Sequence, residues 1–306
     1  MSKVWRRGFL AVLAVVCWDW AAIGGAPESA KVSKGDYTPL KATSEHFEVE
    51  STLGSDVGRS YAALSEKAYA KFCKIFDVKK DEKVWDGKCK IYLFANREEF
   101  VKFGKEVDKS PIATASGGYT CPKKENPYIV LYLEKRDYTD LQRALIHEMT
   151  HVFLQLFHKE TFLPAWLQEG FAQYFEFSHF AGGSNEKTMR SLVKSMVQAG
   201  LTIPLKDFLV KDFPGTDAAS YAQSWSMIDF ITGNKELCRK TGRLVLKLKD
   251  AIPEQKAEIV AEGGEFKVAA PDLNLLEIQE KALKDVFGVS VPRLEAMWKR
   301  YVMTAY

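Results

Sequence analysis

Residues 139–158, TDLQRALIHEMTHVFLQLFH, restrict the fold more than any other stretch of this 306-residue chain. Leu141, Leu145, Val152 and Leu156 recur at helical spacing and predict an amphipathic helix with one buried stripe. Thr139, followed three residues later by Gln142, predicts a capping box at its start. His147 and His151 are four apart, so on such a helix both imidazoles share a face and can reach one point in space. That arrangement suits a tetrahedral metal ion, for which neutral imidazole is a preferred ligand. Glu148 sits beside the first histidine, where its carboxylate can reach a water at the ion without being a ligand. The alternative is a buried helix whose histidines bond only to their neighbours.

A third ligand separates the two readings. The stretch FLPAWLQEGFAQYFE predicts a second helix, with Pro164 in its first turn and Glu169 about a turn and a half on. A short turn over 159–163 sends this helix back antiparallel. At 1.5 Å per residue, His151 and Glu169 then each lie roughly 10 Å from the turn and come out level. Gly170, next to Glu169, would let this helix and the metal helix approach closely. His158 lies roughly 16 Å along the axis from His147, too far to share an ion, and suits a helix C-terminal position.

The motifs HEMTH, WLQEGFAQYF, YAQSWSMIDFI and LEAMWKRYV together resemble the gluzincin metallopeptidases and, within them, the bacterial peptidase-MA-like proteins. The third-histidine pattern of metzincins is absent, since Leu154 and Phe157 stand where its glycine and histidine would be. The resemblance runs from about Glu45 to Tyr306 and implies an α+β, two-lobed zincin-like fold. It pairs an N-terminal mixed sheet and its helices with a mainly helical C-terminal lobe. It also implies Zn2+ held by His147, His151 and Glu169, with Glu148 as general base in the hydrolysis of a peptide or protein substrate.

Three further roles come with the resemblance. Gluzincins commonly supply a tyrosine or histidine from the C-terminal lobe to the developing oxyanion, and Tyr221 matches; a tyrosine making an ordinary buried bond fits the sequence equally. Their cleft-lining strand, which pairs with the substrate backbone, corresponds to Gly117, Gly118 and Tyr119; a simple hairpin with a bulge is the other reading. Four residues after the ligand glutamate these enzymes often carry an acidic residue that orients a ligand histidine. This chain has Gln173 there, whose amide oxygen can accept the imidazole N–H but carries no charge.

Residues 1–26 stand apart. Lys3, Arg6 and Arg7 precede an apolar run from Phe9 to Trp18 and then small residues, the pattern of a secretory leader, so the chain is expected to be exported, periplasmic or extracellular. The run is too short for a stable membrane span. Without residues 1–26, which carry Lys3, Arg6, Arg7 and Asp19, the formal charge falls from +3 to +1. A near-neutral chain gives no argument for nucleic acid or an anionic membrane as partner. Export permits disulfides: Cys73, Cys89, Cys121 and Cys238 allow three pairings, with Cys73 to Cys89 favoured.

The remaining sequence predicts a linker over 27–43, an α/β lobe over 44–158 that includes the metal helix, and a mainly helical lobe over 159–306. In the first lobe HFEVES, KCKIYLF, ATASGGYTCP and YIVLYLE read as strands, and Val57 to Phe76 and NREEFVKFGKEV as helices, the latter capped by Asn96. Two functional readings differ from an exported zinc peptidase. One is a non-catalytic exported protein that uses a zincin cleft to bind a peptide or glycan, for which Gln173 is the support. The other is a structural helical protein with an incidental HExxH.

Overall fold

The computed structural model describes residues 40–108, 117–134, 137–179, 184–212, 217–253 and 273–306. The leader over 1–26 and most of the linker lie outside them. The last four linker residues form strand β1 (Leu40–Thr43), which pairs antiparallel with β2 (Phe47–Ser51). Helix α1 (Ser55–Phe76) leads to β3 (Cys89–Phe94) and to α2 (Arg97–Phe103), whose Asn96 cap accepts from the Glu99 amide as expected. A single π-helical turn over Gly104–Asp108 follows. Strands β4 (Gly118–Cys121) and β5 (Tyr128–Tyr132) form the antiparallel pair just before the metal helix.

The five strands order as β1-β2-β3-β5-β4, with β2, β3 and β5 parallel and the outer strands antiparallel. Period-two alternation sorts their side chains. Phe47, Val49, Ile91, Leu93, Ile129 and Leu131 fall in the main core with α1 and the metal helix. Tyr119 and Val130 turn to the other face and form a smaller core with Phe100 of α2.

The chain then becomes helical: α3 (Tyr138–Leu156), α4 (Ala165–His179), α5 (Ser184–Ala199), α6 (Leu205–Phe208), α7 (Ala218–Gly233), α8 (Lys235–Cys238), α9 (Thr241–Ala251), α10 (Leu275–Phe287) and α11 (Val291–Ala305). A mixed sheet with flanking helices followed by a largely helical region is the two-lobed zincin-like architecture. Asp137, not Thr139, caps α3, accepting from the Asp140 amide at 2.8 Å. A carboxylate at that position also complements the positive end of the helix dipole.

An aromatic cluster fixes α3 and α4 against α1. Phe72 meets Phe153 and Phe175 at 5.3 and 4.4 Å between ring centroids, and Phe76 meets Phe171 at 5.0 Å. On its other side α4 packs against α7. A Cβ on Gly170 would stand 2.8 Å from the Ser224 carbonyl and 2.7 Å from Ile228. The glycine thus permits close approach of α7, rather than of the metal helix. Ser224 donates to the Trp166 carbonyl, and Trp166 donates to Gln279 of α10, anchoring the first turn of α4.

Cys73 and Cys89 are both free thiols, so the expected Cys73–Cys89 bridge is not formed. Burial pushes the Cys73 thiol up to about 11. Among the described residues no helix is long and apolar enough to cross a membrane.

Candidate metal centre

The site is built from two helices and the turn between them. On α3, the apolar stripe of Leu141, Leu145, Val152 and Leu156 is buried in the core, which fixes the rotation of the helix and so the direction of both histidines. The His147 and His151 rings lie 4.9 Å apart between centroids, at 77° to one another. After Leu156 the chain leaves the helix, with His158 in the left-handed region and its Nε2 2.9 Å from Asp250. As expected from its distance along the axis, His158 takes no part in the cluster.

Glu169 of α4 faces both rings. Its Oε2 lies 3.6 Å from His147 Nε2 and its Oε1 3.7 Å from His151 Nε2. One ligand atom from each of the three residues falls within 4.8 Å of the other two. Nitrogen and oxygen ligands held tetrahedrally at 2.0–2.1 Å from zinc are themselves separated by roughly 3.4 Å. Each ring nitrogen is thus within a few tenths of an ångström of that separation from the Glu169 carboxylate, His147 through Oε2 and His151 through Oε1. The donor set is chemically right as well, since His151 Nε2 is buried and takes no hydrogen bond from any described residue. A polar atom buried in this way needs a partner to offset its desolvation, and a cation at the convergence point provides one.

The charges around the cluster agree. Burial pushes the His151 imidazole down to about 4, with Glu169 opposing and His147 reinforcing that shift. It is therefore neutral, the form that binds a metal. Burial also disfavours the His147 cation, but the carboxylates of Glu169 and Glu176 outweigh it and hold its pKa well above the ordinary value. Burial works against the Glu169 carboxylate too, and the two histidines overcome it, so its pKa is lowered. Before any metal enters, the His147 ring faces two carboxylates of α4, Glu169 and Glu176.

Glu148 is 1% exposed on the same helix as the two rings. Tyr221 lies in the first turn of α7, which Asp217 caps. Burial raises its pKa and the charge of Glu169 raises it further, so the phenol stays protonated within the field of the ligand carboxylate. Gly118 and Tyr119 belong to the outer strand β4, and Gly117 immediately precedes it. Their side chains split: a Cβ on Gly118 would stand 2.4 Å from Leu131 on the α3 face, whereas Tyr119 packs on Phe100 on the opposite face. The Gly118 glycine is thus explained by its neighbour β5, and Tyr119 can offer the metal face only its backbone.

Gln173 does not orient an imidazole; its Oε1 is buried and accepts no hydrogen bond from any described residue. The residue behind His147 is Glu176, which the sequence reading passed over, with Oε2 3.5 Å from Nδ1. Gln168, adjacent to the ligand Glu169, interacts through its side chain with His151 and was likewise not singled out. Both stand on the helix that carries the third ligand, and that shared helix was the available signal.

No family model matches the chain, and no curated protein sequence matches it. The likeness to zincins rests on the HExxH…E residues and on the way the fold gathers them.

Proposed function

We propose that this chain is an exported zinc-dependent peptidase of the gluzincin type, of the peptidase-MA-like kind, that hydrolyses peptide bonds in a peptide or protein substrate. The convergence of His147, His151 and Glu169 beside Glu148 carries the reading. The leader-like residues 1–26 are the ground for export. When bound, zinc supplies Lewis acidity, polarising a carbonyl and bringing the pKa of a water to about 7. His147 and His151 hold the ion through Nε2, and Glu169 adds the negative charge that two neutral imidazoles lack. Glu148 accepts the proton of the attacking water and delivers it to the leaving amine. The Tyr221 hydroxyl, kept protonated, donates to the oxyanion that develops on the carbonyl. β4, the outermost of the described strands, offers backbone groups along which an extended peptide can lie.

Incubating the zinc-loaded mature chain with a diverse peptide library tests the proposal, with Glu148→Gln alongside. The amide keeps the size of the carboxylate but accepts no proton. The expected result is cleavage by the wild type and a loss of about 10²–10⁴-fold in the variant, with zinc content unchanged. Full activity in Glu148→Gln removes that residue from the mechanism. Tyr221→Phe is expected to lower turnover with zinc retained, and unchanged turnover would assign the phenol a structural role.

A further inference from the structure

Glu176 stands seven residues after Glu169 on α4, and that spacing puts both on one face. At 3.6 residues per turn, position +7 is displaced by only about 20° around the axis, whereas position +4, occupied by Gln173, is displaced by about 40°. Helical side chains lean toward the N-terminus, so a glutamate at 176 covers the turn before its own Cα. This brings its carboxylate back along α4 to the His147 ring, with Oε2 3.5 Å from Nδ1. The other ring nitrogen, Nε2, faces Glu169 at 3.6 Å. The imidazole is therefore bracketed, a ligand carboxylate at one nitrogen and a second carboxylate at the other. Glu176 cannot share the ion itself, because the ring stands between them, and it lies outside the three-residue cluster.

We propose that Glu176 is the positioning residue for the metal centre: it accepts the Nδ1–H of His147, fixes the tautomer that leaves Nε2 free to ligate, and supplies the carboxylate that Gln173 lacks. A carboxylate behind a ligand imidazole holds the ring and raises its donor strength. Gln173, with its unaccepting Oε1, then has no orienting duty, and its presence is no mark of a weakened site. This inference rests on the zinc reading, and the experiment separates the two.

Zinc is titrated into the metal-free wild-type, Glu176→Gln and Glu280→Gln chains against a chelator of known affinity. Glu280 is exposed on α10 and serves as the charge control. The expected result is binding weakened about 10–100-fold in Glu176→Gln and unchanged in Glu280→Gln. A second readout uses the wild type alone, so it stands even if the variant fails to fold. Imidazole 15N resonances of the zinc-loaded chain should show His147 ligated through Nε2, with the proton retained on Nδ1 and that proton shifted downfield by the carboxylate. Equal zinc affinity in Glu176→Gln, or ligation of His147 through Nδ1, overturns the assignment of Glu176 while leaving the zinc centre intact. A wild-type chain that takes up no zinc overturns both.

Discussion

The middle of α3 and its C-terminal end bury polar groups in opposite ways. Beyond its C-terminus, Lys249 of α9 is fully buried and donates to the carbonyls of Gln155, Lys159 and Thr161 at 2.9, 2.8 and 3.2 Å. Three N–H bonds meet three acceptors, among them a carbonyl from the last turn of the helix and two from the turn toward α4. Around the histidines, in the middle of the helix, the accounting does not close: His151 is buried with an Nε2 that takes no hydrogen bond from any described residue, and two carboxylates crowd around His147. A second matched cluster lies in the helical lobe, where Asp229 accepts from Tyr301 at 3.0 Å and from Tyr306 at 2.9 Å. Most buried polar groups are matched in this way, and a convergent set of imidazole and carboxylate donors that is not matched is where an ion belongs.

The contrast can be broken from either end. Lys249→Met strips three buried carbonyls of their donor and is expected to cost about 3 kcal/mol, read as a shift in the urea midpoint of the metal-free chain. It should also loosen the α3–α4 turn and so weaken zinc uptake. Gly170→Ala forces a methyl onto Ser224 and Ile228, and an overpacked helix crossing costs about 2 kcal/mol. Because Glu169 is its neighbour, the same variant should lose zinc affinity, and retention of full affinity would show that α4 can shift without moving the ligand.

Lys249 also sets a pH dependence. Burial pushes its pKa from 10.5 down to about 7, with the charges of Lys159 and Lys124 acting in the same direction. Below pH 7 both the folded and unfolded chains carry the proton. Between about pH 7 and 10.5 the unfolded chain holds a proton that the folded one has released, so this residue's contribution to stability rises with pH, by up to about 1.4 kcal/mol per unit. Urea midpoints at pH 7, 8 and 9 should therefore climb more steeply in the wild type than in Lys249→Met. Parallel slopes would mean that the three carbonyls hold the ammonium charged throughout. The smallest effect is expected at the unmatched histidine: His151→Leu should change the stability of the metal-free chain by less than about 1 kcal/mol, since the neutral ring there forms no hydrogen bond through Nε2. The same variant should lose all stabilisation by zinc. A large loss without metal would mean that the ring is a structural group.

Much of this was legible in the sequence because it follows from periodicity. The stripe through Leu141, Leu145, Val152 and Leu156 fixed both the helix and the direction of its histidines, and equal distances from the 159–163 turn brought Glu169 level with them. What depends on packing between helices was not legible. Glu176 escaped because a fixed +4 spacing was assumed, while the lean of helical side chains lets a residue one turn further reach back. Lys249 reads as a solvated charge in KLKD, yet it falls four residues after Val245 and one after Leu248, inside the buried stripe of α9. Gly170 was assigned to the wrong neighbour because sequence spacing does not reveal that α7 returns against α4. Tyr119 was placed by motif, whereas the strand's alternation already put it and Gly118 on opposite faces.

The central claim is that two imidazoles and one carboxylate, not the thiols, hold the metal. Zinc-edge X-ray absorption on the loaded chain tests this most directly. The account predicts a nitrogen and oxygen shell at about 2.0–2.1 Å from two imidazoles and a carboxylate, disrupted in Glu169→Ala. A sulfur shell at about 2.3 Å, or a spectrum that Glu169→Ala leaves unchanged, would contradict it.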